Sequence, residues 1–329
     1  MKLRTLAIVC AAVLATAGQG VSAERALRVA TSVPHNHYLT KVVKEFAANV
    51  TKRTNGEIVF EFYDSGSLVS DQHMDEAVAN GTIDIGIASA SILAGTVPAL
   101  NVFAVPFYFD TREKLDRAVL PGTPIRTMLD KRINETGSHA LFWIPYGFIT
   151  MITAGKEVHL PADMNGLKIR TFGTTVSEFV EALDAAPVVT SGSEQFLALQ
   201  RGIVDGGLTG LPSVEERRLY EVSKYVIATD HMYETHFALM SEKALDAMPG
   251  ELRAIFREEA AKLEAVLMDR IFDATKHTRD VLSNKMEIID LTPEEIGQWK
   301  QKTAPVAKAF YENGNELARS VFEEAQKLQ

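Results

Sequence analysis

Gly81-Thr82-Ile83-Asp84-Ile85-Gly86 and Gly202-Ile203-Val204-Asp205-Gly206-Gly207 are two versions of one phrase, one in each half of the chain, and their reading decides the fold. Each follows a helical pattern, Glu76 to Asn80 in the first case and Glu194 to Arg201 in the second. A glycine directly after such a pattern stops the helix, because it enters the left-handed backbone of a C-terminal cap without a Cβ penalty. The residues after it have the length and apolar character of a short strand buried on both faces. A helix–glycine–strand unit used twice predicts two domains of related construction, against the alternative of coincidence in six residues.

Outward from these phrases the first half alternates strand and helix patterns, which places the chain in the α/β class. Ala26 to Ser32 reads as a strand, and Tyr38 to Thr54 as a helix with Leu39, Val42, Val43, Phe46 and Val50 on one face. Asn55-Gly56 ends that helix, and Glu57 to Tyr63 alternates as a second strand. A short helix is expected around Asp71 to Asn80, followed by a strand from Thr82 to Ala88, and another strand from Ala140 to Ile144. From Pro249 to about Met286 apolar residues recur at three- and four-residue steps, so one helix of roughly 50 Å or more is expected there, long enough to brace two domains. Thr292-Pro293-Glu294-Glu295 carries an N-cap threonine and an acidic first turn, the start of a last helical segment that continues through Trp299 to residue 329.

The 329 residues are 46% hydrophobic and 23% charged, enough to bury a sizeable core and long enough for two domains. Residues 1 to 23 read as a secretory signal: Lys2 and Arg4 open it, Leu6 to Ala17 is apolar, and Val21-Ser22-Ala23 offers a small-residue cleavage site. The single cysteine, Cys10, falls inside that apolar run. Disulfides, thiolate metal sites and a cysteine nucleophile are therefore excluded for the exported chain. The formal net charge is −9, and loss of the signal makes it more negative, so a nucleic-acid partner is not expected. No later segment has the run of about 20 apolar residues that a membrane span needs.

Enzyme signatures are scarce, with no G-x-S-x-G, H-E-x-x-H, Walker A loop or G-x-G-x-x-G in the chain. His35 and His37 stand between the first strand and the first helix, where open α/β sheets place ligand-facing loops. They read as cleft-lining or solvated loop residues, with a metal site or a general base as the alternatives. His231 and His236 are too far apart to share one helix face, lack a completing carboxylate cluster, and read as structural or hinge residues. Arg170 is more informative, since it ends the apolar strand Leu167 to Phe172 ahead of a Gly173-Thr174-Thr175 turn. A guanidinium there needs an anion, either a ligand's carboxylate or sulfonate or an internal acidic side chain.

Several phrases in order resemble the solute-binding proteins of tripartite ATP-independent periplasmic (TRAP) transporters. They are Lys52-Arg53-Thr54-Asn55-Gly56-Glu57-Ile58, Gly81 to Asp84, Pro98 through Pro106-Phe107-Tyr108-Phe109, Leu160-Pro161-Ala162-Asp163-Met164-Asn165-Gly166-Leu167-Lys168-Ile169-Arg170, Ala198 through Gly206, and Tyr220-Glu221-Val222 with Lys224-Tyr225 and His231. The resemblance covers essentially the whole chain after the signal. It implies a two-lobed α/β periplasmic binding protein fold, each lobe a β-sheet flanked by helices, with a strand hinge and the long helix spanning both lobes. One lobe would be residues 24–147 with 236–275, the other 148–235 with 276–329.

The resemblance also implies that Arg170 clamps the carboxylate of a small organic anion, and that hinge closure delivers it to the small and large TRAP membrane subunits for ion-driven uptake. The chain would be a periplasmic monomer without a cofactor or a resident metal. Two positions depart from the pattern of acidic-sugar binders: Thr150 stands where those members have a second arginine, and Thr209 where they have a solute-contacting asparagine. The remaining expected lining is His37, Ser89, Ser91, Tyr146, Phe148, Phe172, Ser191 and Ser193. Such a lining suits a small organic acid, a sulfonate, or a zwitterion whose ammonium sits against aromatic faces. An enzyme using His35 or His37 as a base near Arg170, and a receptor serving a signalling protein, are the competing readings.

Overall fold

The computed structural model describes residues 25–329; the expected signal segment, with Cys10, lies outside them. Ten strands are described: β1 Arg25–Ala30, β2 Ile58–Tyr63, β3 Ile85–Ser89, β4 Ser138–Thr153, β5 Lys168–Thr171, β6 Ala186–Val189, β7 Gly206–Gly210, β8 Tyr225–Ala228, β9 Tyr233–Ser241 and β10 Glu287–Asp290. β2, β1 and β3 are parallel neighbours, β9 runs antiparallel to β3, and β4 antiparallel to β9. The far end of β4 pairs antiparallel with β7 and with β8, while β5 and β6 continue parallel from β7, and β10 from β8. Two lobes result, with β4 belonging to both sheets.

The repeated phrase has the same structure in both lobes. Gly81 and Gly202 sit at φ +81° and +65°, the left-handed cap expected of them. Asp84 Oδ2 accepts from the backbone N–H of Arg28 at 2.8 Å, and Asp205 Oδ2 accepts from that of Lys168, also at 2.8 Å. In each lobe the aspartate satisfies a donor on the neighbouring parallel strand, beside a backbone bond in the opposite direction from its own N–H. The aspartate is therefore part of the strand pairing, which is why it stands in both copies.

β4 is far longer than the Ala140 to Ile144 strand the sequence suggests. Pro145 and Gly147 read as a break, yet the ladder with β9 runs through them by a register shift: Pro145 faces Thr235 and Gly147 faces Glu234, leaving Tyr146 as the extra residue. Gly147 takes φ +97°, as glycine-containing bulges require. A bulge increases bend and twist locally, and here it lies where β4 passes from one lobe to the other.

The long helix, Gly250–Leu282, ties the lobes together. Its Phe256 packs edge-on against Phe46 of the helix Tyr38–Arg53, and its Arg270 pairs with Glu45 at 2.7 Å. Further along, Thr278 donates to Glu215 at 3.0 Å, and Leu282 enters a core shared with Ile152 of β4 and Val226 of β8. No helix among the described residues is long and apolar enough to cross a membrane. The last helix, Glu316–Gln326, counted above with the second lobe, packs Ala318, Val321 and Phe322 into the core formed by Phe103, Phe109 and Leu129 of the first. The preceding helix, Pro293–Asn313, sets Trp299 against Phe179 of the second lobe and so carries the chain across.

Candidate functional site

β3, β4, β5, β7 and β9 all contribute side chains to one cavity between the lobes. Arg170, at the inner end of β5, is 3% exposed. Its Nε and Nη2 donate to Thr190 O at 3.1 and 2.9 Å, and Nη1 donates to Leu208 O at 3.1 Å. These bonds fix the plane of the guanidinium and leave one N–H on each terminal nitrogen. No carboxylate among the described residues forms an ion pair with it. Burial, and secondly the charge of Arg217, push its pKa down to about 10, so it remains a cation at neutral pH. The ring of Phe172 lies 5.1 Å from its central carbon, a cation–π contact on one face.

Arg217, half-buried, lines the same cavity. Its Nη2 donates to Gly192 O and, at 2.9 Å, to Gln195 Oε1. Burial lowers its pKa, against the raising influence of Tyr146 and Asp71. Asp71, from the first lobe, accepts from the N–H of Gly192 in the second at 3.0 Å. Near by, a Cβ on Gly173 would stand 3.0 Å from Ser91, so the lips of the two lobes meet here.

The hinge supplies the opposite wall. Glu234, on β9 opposite the bulge, is 2% exposed, with Oε2 accepting from Ser91 Oγ at 2.5 Å. Burial pushes its carboxyl up to about 7. His236 lies 4.8 Å from the Tyr146 ring, and burial lowers its pKa to about 3.

Of the expected lining, Arg170, Phe172, Thr209, Tyr146 and Ser89 meet at the cavity. Ser91 and Ser191 line the adjoining mouth instead, and Ser193 stands behind Ser191, its hydroxyl 2.9 Å away. Three expectations are corrected. Phe148 packs against Tyr233 and Phe272, because the extra residue in the bulge turns it to the other side of β4 from Tyr146. Thr150 is engaged below the cavity, donating to Ile227 O at 2.6 Å. His37 is 1% exposed and caps the first helix: Nδ1 accepts from Leu39 N–H at 3.2 Å, and Nε2 is 2.7 Å from Ser213 Oγ. Both ring nitrogens are engaged by the protein, so His37 has no lone pair for a solute, and burial followed by Arg217 holds its pKa well below 6.5. The Gly173-Thr174-Thr175 turn is the entry to the helix Thr174–Ala182.

Arg217, Asp71, Glu234 and His236 were not legible as lining. Arg217 stands in Glu215-Glu216-Arg217-Arg218, which resembles any solvated charged turn, and Glu234 and His236 depend on how β9 is paired. The assembled site is a cleft between the lobes with two cations on one wall and Glu234 and His236 on the other. Its chemistry is that of anion capture.

The comparisons agree with this architecture. Residues 29–313 match the family DctP, bacterial extracellular solute-binding protein, family 7. The chain belongs to that family. A solute-binding protein of Verminephrobacter eiseniae is 31% identical over 82% of this chain and 80% of its own length. An uncharacterized protein, y4mM, of Sinorhizobium fredii is 29% identical over 82% of this chain, which spans 49% of that longer relative. Among solved structures, a TRAP periplasmic solute binding protein of Sulfurospirillum deleyianum with bound succinate superposes with a TM-score of 0.85, at 24% identity, over 93% of this chain and 100% of that one.

Proposed function

We propose that this protein is a periplasmic receptor that closes on a small carboxylate, with Arg170 as its grip, and passes it to TRAP membrane subunits. One observation carries the reading: Arg170 is a buried cation at the cavity wall whose hydrogen bonds among the described residues go to two backbone carbonyls and to no carboxylate. A buried charge without a counter-charge is costly, and a carboxylate arriving in the cavity supplies both the charge and the bidentate acceptor. The solute-binding family supports the same role, as does the succinate held by the Sulfurospirillum protein. A solute touched by both lobes favours the closed state by its differential affinity for it. Export would follow from the signal at residues 1 to 23, and the lobes would divide at the crossing of β4 and β9.

The test is thermal unfolding of the mature protein, refolded from denaturant to remove carried-over ligand, against carboxylates, sulfonates and zwitterions. A carboxylate at 100 times its Kd should add about 2.7 kcal/mol, a shift of several degrees. Arg170→Lys should weaken that binding tenfold or more, because an ammonium cannot reproduce the fork. Unchanged affinity in Arg170→Lys would remove the clamp from the mechanism, and recovery of the ligand as a different molecule would make the protein an enzyme.

A further inference from the structure

The next step rests on the receptor reading and concerns which acids the cavity admits. Thr150, where the resemblance places a second arginine in acidic-sugar binders, has its hydroxyl engaged by Ile227 O and does not line the cavity. Arg217 does line it, arriving from the end of the helix Leu211–Glu216 on an unrelated part of the chain. Only its Nη2 is committed to Gly192 O and Gln195 Oε1, with the Tyr146 side chain beside the guanidinium; no carboxylate among the described residues forms an ion pair with Nε or Nη1.

Several of the other polar groups of the wall are already answered within the protein, Asp71 Oδ1 and His236 Nδ1 being buried exceptions without a hydrogen-bond partner among the described residues. Ser89 Oγ accepts from Ile92 N–H at 3.2 Å, Thr209 Oγ1 and Tyr146 Oη are 3.1 Å apart, Asp71 Oδ2 accepts from Gly192 N–H, and Glu234 from Ser91. Between them the surface is Val33, Ile87, Ile92 and Phe172. A polyhydroxylated body placed here would lose its water and find few free partners, whereas an apolar body would find apolar walls.

We propose that Arg217 is a second solute-gripping guanidinium, and that the solute is a compact carboxylate with an unhydroxylated body held by Arg170 and Arg217 together. Two cations on one wall suit either a single carboxylate shared between them or one acidic group on each. Both are the same chemistry, and the length of the acid separates them.

Isothermal titration of the refolded wild type and of Arg217→Gln, Arg217→Lys and Arg170→Gln, with isovalerate, succinate and galacturonate as probes, tests this. Isovalerate or succinate should bind at least tenfold tighter than galacturonate; whichever of the two binds tighter shows whether the guanidiniums share one carboxylate or hold one each. Arg217→Gln should lose tenfold or more of that affinity, and Arg217→Lys should recover part of it with the fold intact in an unfolding scan without solute. Preference for galacturonate, or an Arg217→Gln protein that binds as the wild type does while Arg170→Gln does not, overturns this inference and leaves the receptor reading standing. A wild type that binds none of the three acids, with Arg170→Gln indistinguishable from it, overturns both.

Discussion

At the residue scale the site is a set of charges kept where water is scarce. Arg170 is tolerated because three of its N–H groups find carbonyl oxygens, so burial costs it solvation without leaving all its donors unmet. Glu234 makes the opposite compromise, its carboxyl pushed up to about 7 by burial. The sign of its effect follows from proton uptake. Between the ordinary glutamate value and about 7 the folded protein holds a proton that the unfolded chain releases, so the charge penalty is absent near pH 4 and complete above pH 7. Glu234→Gln should therefore be more stable than the wild type at pH 8, by as much as roughly 3 kcal/mol, with the difference shrinking toward pH 4.5. Urea midpoints at the two pH values check this; an equal difference at both would mean that the carboxyl stays charged throughout.

At the element scale the repeated aspartates and the bulge in β4 matter most. Each aspartate completes a parallel strand pair by a side-chain acceptor on a backbone N–H, and Asp205→Ala leaves the Lys168 N–H without that acceptor. A loss of about 1 kcal/mol is expected for it, and a similar one for Asp84→Ala, each read from a denaturant midpoint. Additivity in the double variant would show the two lobes behaving as separate copies of one unit. Strand β7 shows why its glycines are needed: a Cβ on Gly210 would meet the Tyr146 ring at 2.8 Å, and one on Gly206 would meet Ile152 O at 2.5 Å. Gly210→Ala should push Tyr146 into the cavity and weaken solute binding more than it lowers stability, whereas Gly206→Ala, against backbone, should chiefly destabilise.

Across the whole molecule the long helix is the common support. Arg126, 5% exposed, pairs with Glu264 on that helix at 2.7 Å and with Asp130 at 2.6 Å, and stacks 4.2 Å above the Trp143 ring of β4. Glu264 also accepts from the Trp143 N–H. Glu264→Ala should cost about 2 kcal/mol, since it removes one of the two carboxylate partners of a buried guanidinium and leaves the Trp143 backbone donor unmet. Acid sensitivity is likewise a property of the whole fold. Burial lowers the pKa of His37, and holds His231 and His236 at about 3. Below pH 6.5 the unfolded chain takes up protons that the folded chain refuses, so stability should fall on acidification, by about 1.4 kcal/mol per pH unit toward pH 3 for each of His231 and His236, with His37 acting in the same direction. Urea midpoints stepped from pH 7 to 5 measure this; a flat profile would show these imidazoles protonated in the fold.

Legible in the sequence were the α/β class with two domains of related construction, the capped helix and strand of each repeated unit, the long bracing helix, and Arg170 as a cation in need of an anion. All of these depend on local periodicity, capping residues or a charge at the end of an apolar strand, and such signals are written within a few consecutive residues. Tertiary structure alone decided that Arg217, Asp71, Glu234 and His236 share the cavity with Arg170, that His37 and Thr150 stand behind it, and that Phe148 faces away. One bulged residue in β4 reverses which side chains face the cleft, and residues brought together from opposite lobes leave no mark in each other's neighbourhood in the chain.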